Sequence, residues 1–308
     1  MYSNIVSLMC REDDEETTMA LLRVTALTGL SVAVGTAVTA LLCVGPRQLS
    51  RATNDLGGRA REVAPYLAAA LGLLAVKQLT QGYRIRLSRA LDWRITGELY
   101  AIEGEFVAAL QRATPDATLE PFSVAYMLGF AVLLVAGPTV YFLAGAGGRR
   151  HLKELLVAYM LNYAVGTLCY TLFIGYGPRK YLDSVDGLMY QFYPETQELT
   201  AAVASNTNVF PSLHASLSVA VAAVAWRSRR RFPRWAGISG TLAAAVVYST
   251  MFLGIHWATD VVVGAVLGAG SATVGARIVT RVERRSTDGD PEPLDGPSAD
   301  RKPKAGDD

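Results

Sequence analysis

His256 and Asp260 stand four residues apart in Ser249-Thr250-Met251-Phe252-Leu253-Gly254-Ile255-His256-Trp257-Ala258-Thr259-Asp260, at the joint between two apolar runs. That spacing puts both side chains on one side of a helix, so the carboxylate can accept a hydrogen bond from one ring nitrogen and leave the other free to attack. A carboxylate partner fixes the tautomer, raises ring basicity and stabilises the imidazolium that forms. Attack on phosphorus would give a phosphohistidine. A second imidazole, His214 in Phe210-Pro211-Ser212-Leu213-His214-Ala215-Ser216, opens another apolar run. It is suited to protonate the departing oxygen and then to activate the acceptor. Ionisable side chains at the margin of a hydrocarbon layer are costly and usually functional.

A phosphoryl group also needs cations and donors around its equatorial oxygens. Tyr176-Gly177-Pro178-Arg179-Lys180-Tyr181 places Arg179 and Lys180 just past an apolar run. Arginine can fork onto two oxygens, and lysine acts as a mobile point charge. Ser212, after Pro211 at a helix start, offers a hydroxyl and nearby backbone N–H groups to an anion. Ser249 lies two helical turns before His256 and either supports the site or bonds a backbone carbonyl. His151 falls in a basic connector and reads as structural. Asp183, Asp186 and Glu195 read as solvated loop charges.

Two other classes of function share these residues. His214, His256 and Asp260 have the ligand types of a zinc site, whereas the phosphohistidine route needs no metal and no cofactor. A transporter also lines its path with buried ionisable groups, but the chain lacks paired broken helices in two repeated halves, and its charges gather at one face rather than mid-membrane.

The elements that must position these groups are apolar helices. The chain has 308 residues, 51% hydrophobic and 18% charged, with a mean hydropathy of +0.25. This composition is that of a polytopic membrane protein. A net charge of +2 with arginines confined to short connectors gives no support for nucleic-acid binding. Cys10, Cys43 and Cys169 are too scattered for a disulfide framework or a zinc knuckle. An acidic tail, residues 1–18, precedes the first apolar run, which lacks the basic start of a cleavable signal and reads as a retained span.

Spans are expected over Met19–Val44, Val63–Gln81, Phe122–Ala144, Leu152–Ile174, Phe210–Trp226, Trp235–Gly254 and Trp257–Thr280, since about 20 helical residues cross the core. The fold class is all-α, a polytopic bundle of six or seven transmembrane helices. Between Tyr83 and Arg112 a stripe of Leu87, Leu91, Ile95, Leu99, Ile102, Phe106 and Leu110 predicts an amphipathic helix in the interface plane or over the bundle end. The membrane domain is expected over 19–281, with its catalytic core over 152–281, followed by a disordered charged tail over 282–308. Basic joints at Arg149-Arg150, Arg227 to Arg234 and Arg281 to Arg285 put those ends and the C-terminus in the cytoplasm. The histidines then face the extracytoplasmic side of a plasma-type membrane. Oligomeric state is not legible.

Gly177-Pro178-Arg179, then Phe210-Pro211-Ser212-Leu213-His214, then Ser249 with His256 and Asp260 resemble the three motifs of the type 2 phosphatidic acid phosphatase superfamily, which read K-x6-R-P, P-S-G-H and S-R-x5-H-x3-D. The resemblance covers roughly Leu152 to Thr280. It implies a helical-bundle membrane enzyme with His256 as nucleophile, Asp260 its partner, His214 the general acid and Arg179 a phosphate ligand. Leu172 stands at the lysine of the first motif, Lys180 at its proline, Leu213 at the glycine of the second and Thr250 at the arginine of the third. This pattern resembles the branch of inositol phosphorylceramide synthases and sphingomyelin synthases. It implies a membrane lipid donor and transfer of a phospho-headgroup to an alcohol acceptor rather than to water.

Overall fold

A computed structural model describes residues 23, 25–52, 55–189 and 207–288. Apolar runs of Ala, Leu, Val and Gly become helices because a chain crossing hydrocarbon must satisfy its own backbone polar groups. The helices are α1 (Thr25–Val44), α2 (Pro46–Ala52), α3 (Leu56–Leu79), α4 (Gln81–Leu91), α5 (Thr96–Glu103), α6 (Phe106–Ala113), α7 (Asp116–Leu143), α8 (Arg149–Leu172), α9 (Pro178–Tyr181), α10 (Leu213–Arg227), α11 (Pro233–Phe252) and α12 (Ala258–Asp288). Among the described residues, α1, α3, α7, α8, α11 and α12 are long and apolar enough to span, and α10 is a shorter apolar helix. The chain is therefore an all-α integral membrane protein, with the six long helices and the seventh, shorter one falling on the seven expected runs.

The core joins α7, α8, α10 and α11 through Leu133, Tyr141, Leu155, Val221 and Trp235, all fully buried. α10 and α12 approach most closely. A Cβ on Gly264 would collide with the Ser212 carbonyl, and one on Gly268 with that of Ser216. Small residues four apart let two backbones touch in the absence of a hydrophobic drive between helices. The contact matters because Ser212 opens α10 and Asp260 lies one turn before Gly264.

Alternation of the helices gathers the ends of α3, α8 and α11 and the starts of α7, α10 and α12 at one end of the bundle. The basic joints lie together at the other. There the Arg59 guanidinium donates to the Phe142 and Leu143 carbonyls, and Arg234 donates to that of Leu42. Glu154, fully buried on α8, meets Arg150 at 3.0 Å, His151 at 3.3 Å and Arg227 at 3.6 Å. His151 thus belongs to a structural charge cluster.

Two expectations change. The stripe over Tyr83–Arg112 is three helices rather than one, broken where Asp92 is left-handed (φ 43°) and at Gly104 (φ 55°). Between the first two helices, the Ile95 N–H donates to the Ile174 carbonyl at 3.0 Å. The breaks split the apolar face: Ile95 and Leu99 pack beneath Trp257, while Leu91, Ile102 and Phe106 stay exposed. α12 also runs past Arg281 to Asp288. Arg150 donates to the Thr280 hydroxyl and Lys153 pairs with Glu283, so these polar residues continue the helix instead of starting a tail. The segment 1–18, Glu195 and the chain from 289 onward lie outside the described residues.

Candidate active site

The connector between α11 and α12 carries His256. Gly254 (φ 70°) turns the chain, and the N–H groups of Ile255 and His256 both donate to the Thr250 carbonyl, at 3.1 and 3.0 Å. This turn holds the imidazole inward, only 4% exposed. Trp257 anchors the next position. Its ring is fully buried and its Nε1–H donates to the Tyr176 carbonyl at 2.8 Å.

Asp260 sits fully buried in the first turn of α12. Its Oδ2 accepts the Trp257 N–H at 3.0 Å and stands 3.6 Å from His256 Nδ1. The four-residue spacing brings carboxylate and ring together, at a separation longer than a hydrogen bond.

His214 arrives from α10. The Ser212 N–H donates to the Asp260 carbonyl at 3.1 Å, which ties the start of α10 to that of α12. The two imidazole centroids are 6.3 Å apart. Tyr126 stacks on His214 at 4.5 Å and Phe130 meets it at 4.3 Å. Tyr126 lies in a π-turn, Ala125–Gly129, within α7; such wide turns recur at functional sites. Nothing in the sequence marks either aromatic, since both look like span filler.

α9 brings the cations. The Arg179 N–H donates to the Gly254 carbonyl at 3.2 Å, and Gly177 lies against the Ile255 carbonyl where a Cβ would not fit. Arg179 is half-buried beside the His256 turn, whereas Lys180 is exposed. The histidine lies between the spans, and burial pushes it down from 6.5 to about 4; a hydrogen bond to the Val209 backbone opposes the shift and the Arg179 charge adds to it.

Ser212 is fully buried and caps α10, its hydroxyl accepting the Ala215 N–H at 3.3 Å. Ser249 turns its hydroxyl back to the Ala245 carbonyl at 2.6 Å, away from the imidazoles. Two positions that depart from the motifs, the arginine of the third and the glycine of the second, are filled otherwise. The Thr250 hydroxyl donates to the Val247 carbonyl at 2.7 Å, and Leu213 lies against Gly166, where a Cβ would crowd its side chain. Asp186 is held at the rim by Gln111, whose amide donates to the Asp186 and Phe252 carbonyls at 2.9 Å each. Among the described residues, no three His, Cys, Asp or Glu side chains converge as a metal site would require.

Glu103 is a further residue that sequence reasoning missed. At the end of α5, its carboxylate accepts the N–H of Ala258 at 3.0 Å and of Thr259 at 2.8 Å, and the Thr259 hydroxyl at 3.0 Å.

Two imidazoles, a buried carboxylate and a guanidinium thus meet at one end of a membrane-embedded helical bundle, which defines the class as a polytopic membrane protein with an ionisable site at a span boundary. Residues 102–274 match the PAP2 superfamily, and the chain belongs to it. It is accordingly a phosphoryl-transfer enzyme. The match begins well upstream of residue 152, so it takes in α6, α7 and Glu103. The crystal structure of Aquifex aeolicus LpxE is similar to this chain, with a TM-score of 0.46 and 20% identity over 57% of this chain and 95% of that one. No curated protein matches.

Proposed function

We propose that this protein transfers a phosphoryl or phospho-headgroup from a membrane lipid to an alcohol acceptor through a phosphohistidine at His256. The observation that carries the proposal is the meeting of His214 and His256, 6.3 Å apart by ring centroids, with Asp260 behind one ring and Arg179 beside it. The ring nitrogen turned away from Asp260 gives up its contact with the Val209 backbone, passes the ring proton to the nitrogen facing Asp260, and attacks phosphorus. As the N–P bond forms, the P–O bond to the leaving group breaks, and His214 gives that oxygen its proton. Asp260 stabilises the cationic ring. Neutral His214 then takes a proton from the acceptor hydroxyl, whose oxygen displaces His256 from phosphorus.

Arg179 offers the charge that the equatorial oxygens need, with Lys180 and the α10 start at Ser212 as further contacts. Leu172 and Thr250 withhold the two cations that the superfamily motifs would add. A thinner clamp suits a phosphodiester, with one negative charge, better than a doubly charged monoester. This favours the headgroup-transfer branch, with inositol phosphorylceramide synthases and sphingomyelin synthases as its analogues. The membrane lipid is the donor; no metal, cofactor or nucleic acid takes part. The basic joints at the far end support an extracytoplasmic site with a cytoplasmic C-terminus.

The test supplies purified protein with labelled phospholipids and, in parallel, water, inositol and glycerol as acceptors, comparing wild type with His256→Ala. The proposal predicts a labelled alcohol ester that disappears in the variant. Free release of inorganic phosphate from phosphatidic acid, with no transfer to any alcohol, would overturn the transfer reading.

A further inference from the structure

The start of a helix exposes N–H groups with no intrahelical partner, and a nearby carboxylate is drawn to them. α12 begins with Asp260 in its first turn, within two residues of the very donors that seek such a carboxylate. Left alone, Ala258 and Thr259 would compete with His256 for Asp260. In this protein they do not. The Ala258 and Thr259 N–H groups and the Thr259 hydroxyl all go to Glu103, on a separate helix more than 150 residues away in sequence. Asp260 keeps one backbone donor, Trp257, and turns the same oxygen toward His256 Nδ1.

We infer that Glu103 is a positioning residue for the phosphoryl-transfer site: it takes the donors at the head of α12 and so reserves the Asp260 carboxylate for His256. The inference rests on the proposed role of the His256 and Asp260 pair. Geometry supports it from two sides. Glu103 is fixed by the left-handed turn at Gly104 (φ 55°) that ends α5. The α5 face bearing Leu99 packs in one cluster with Trp257, the residue between His256 and the capped donors. α5 therefore moves with the head of α12 as one unit, and the cap cannot shift without shifting the ring.

Glu103→Gln tests this while preserving size. A carboxamide can accept through one atom only, and its NH2 faces a donor, so at least one of the two N–H groups is released to Asp260. The charged and titratable groups around the pair are His214, Arg179, Glu103 itself and Tyr170, an α8 residue whose hydroxyl donates to the Pro211 carbonyl at 2.9 Å; the substitution removes the Glu103 charge and leaves the other three in place. Three readouts are compared between wild type and Glu103→Gln: thermal unfolding, kcat and KM with a labelled phospholipid in vesicles and glycerol as acceptor, and the pH midpoint of deuterium exchange at the His256 imidazole C2, followed by mass spectrometry. Loss of a positioning partner typically costs about 10–100-fold. The expected result is a fall of that size in kcat with KM within about twofold, and a His256 midpoint displaced to lower pH because the ring loses carboxylate support.

A lower unfolding temperature with wild-type kcat per folded molecule and an unmoved His256 midpoint would reduce Glu103 to a helix cap and overturn the inference. The His256 midpoint is read without turnover, so it decides the matter even where the labelled phospholipid is a poor donor. His256→Ala in the same assay separates the two claims. Inactive His256→Ala beside fully active Glu103→Gln refutes the role of Glu103 alone, whereas active His256→Ala refutes the site on which it rests.

Discussion

Oδ2 of Asp260 is shared between the Trp257 N–H, at 3.0 Å, and His256 Nδ1, at 3.6 Å. One oxygen thus closes a backbone turn and faces the ring proposed to attack, so the strength of the imidazole contact depends on what else the carboxylate must bind. Hydrogen bonds of this kind often tighten only when substrate is engaged.

Asp260→Asn is expected to keep the helix cap, since an amide oxygen can still accept from Trp257, but to lose support for the cationic ring. kcat should fall by about two to four orders of magnitude with little change in KM. Steady-state kinetics on the purified variant, normalised to folded protein, check this.

The acid limb of activity follows from His256. Its neutral form attacks, and the folded protein holds its midpoint near 4 rather than at the ordinary 6.5. Activity should therefore persist as pH falls through 6 and fade only near 4. Arg179 adds to that depression, so Arg179→Gln should move the acid limb of kcat/KM upward toward 6.5, besides weakening phosphate binding. A pH–rate profile of both proteins gives the sign directly. The same depression acts on stability, because the unfolded chain binds the proton more readily. The stabilising share of this group is complete above pH 6.5 and is lost as pH drops toward 4.

Helix contact and chemistry meet at Gly264. A Cβ there collides with the Ser212 carbonyl at the head of α10, while the equivalent collision at Gly268 is with Ser216, one turn deeper. Gly268→Ala and Gly264→Ala should each lower stability by about 1–3 kcal/mol. Only Gly264→Ala should also reduce kcat per folded molecule, since it pushes Ser212 and His214 away from Asp260. Thermal unfolding beside kinetics separates the two effects.

Glu154 marks the opposite case. It is fully buried, but its partners Arg150 and Arg227 are 51% and 38% exposed and can rehydrate. Glu154→Gln is expected to destabilise by about 1–3 kcal/mol and to leave kcat intact, because the cluster sits at the far end of the bundle.

The parts of this site that could be read without coordinates are those whose residue types are out of place. Imidazoles and a carboxylate beside apolar runs stand out because burying them is costly, and the spacing of His256 and Asp260 already suggests a pair, although His256 stands in the connector ahead of α12 and not on a shared helix face. Spans were legible for the same reason, through long stretches of Leu, Val and Ala. Glu103 was hidden because it sits among Glu98, Glu105 and Arg94, where a charge has the look of a solvated face. Tyr126 and Phe130 were hidden because an aromatic in a span usually packs core. The breaks at Asp92 and Gly104 were invisible to periodicity, since the apolar repeat continues across both while the backbone turns. The end of α12 was misread because its charges pair with α8, a partner distant in sequence.

The most direct measurement is to capture the intermediate. Wild-type enzyme mixed with a lipid labelled at phosphorus and quenched within the first turnover should yield a protein-bound label that is stable to alkali and labile to acid, mapping to the peptide that contains His256 and absent from His256→Ala. Turnover of the same lipid with no protein-bound label at any time, or with the label on another residue, would contradict the account.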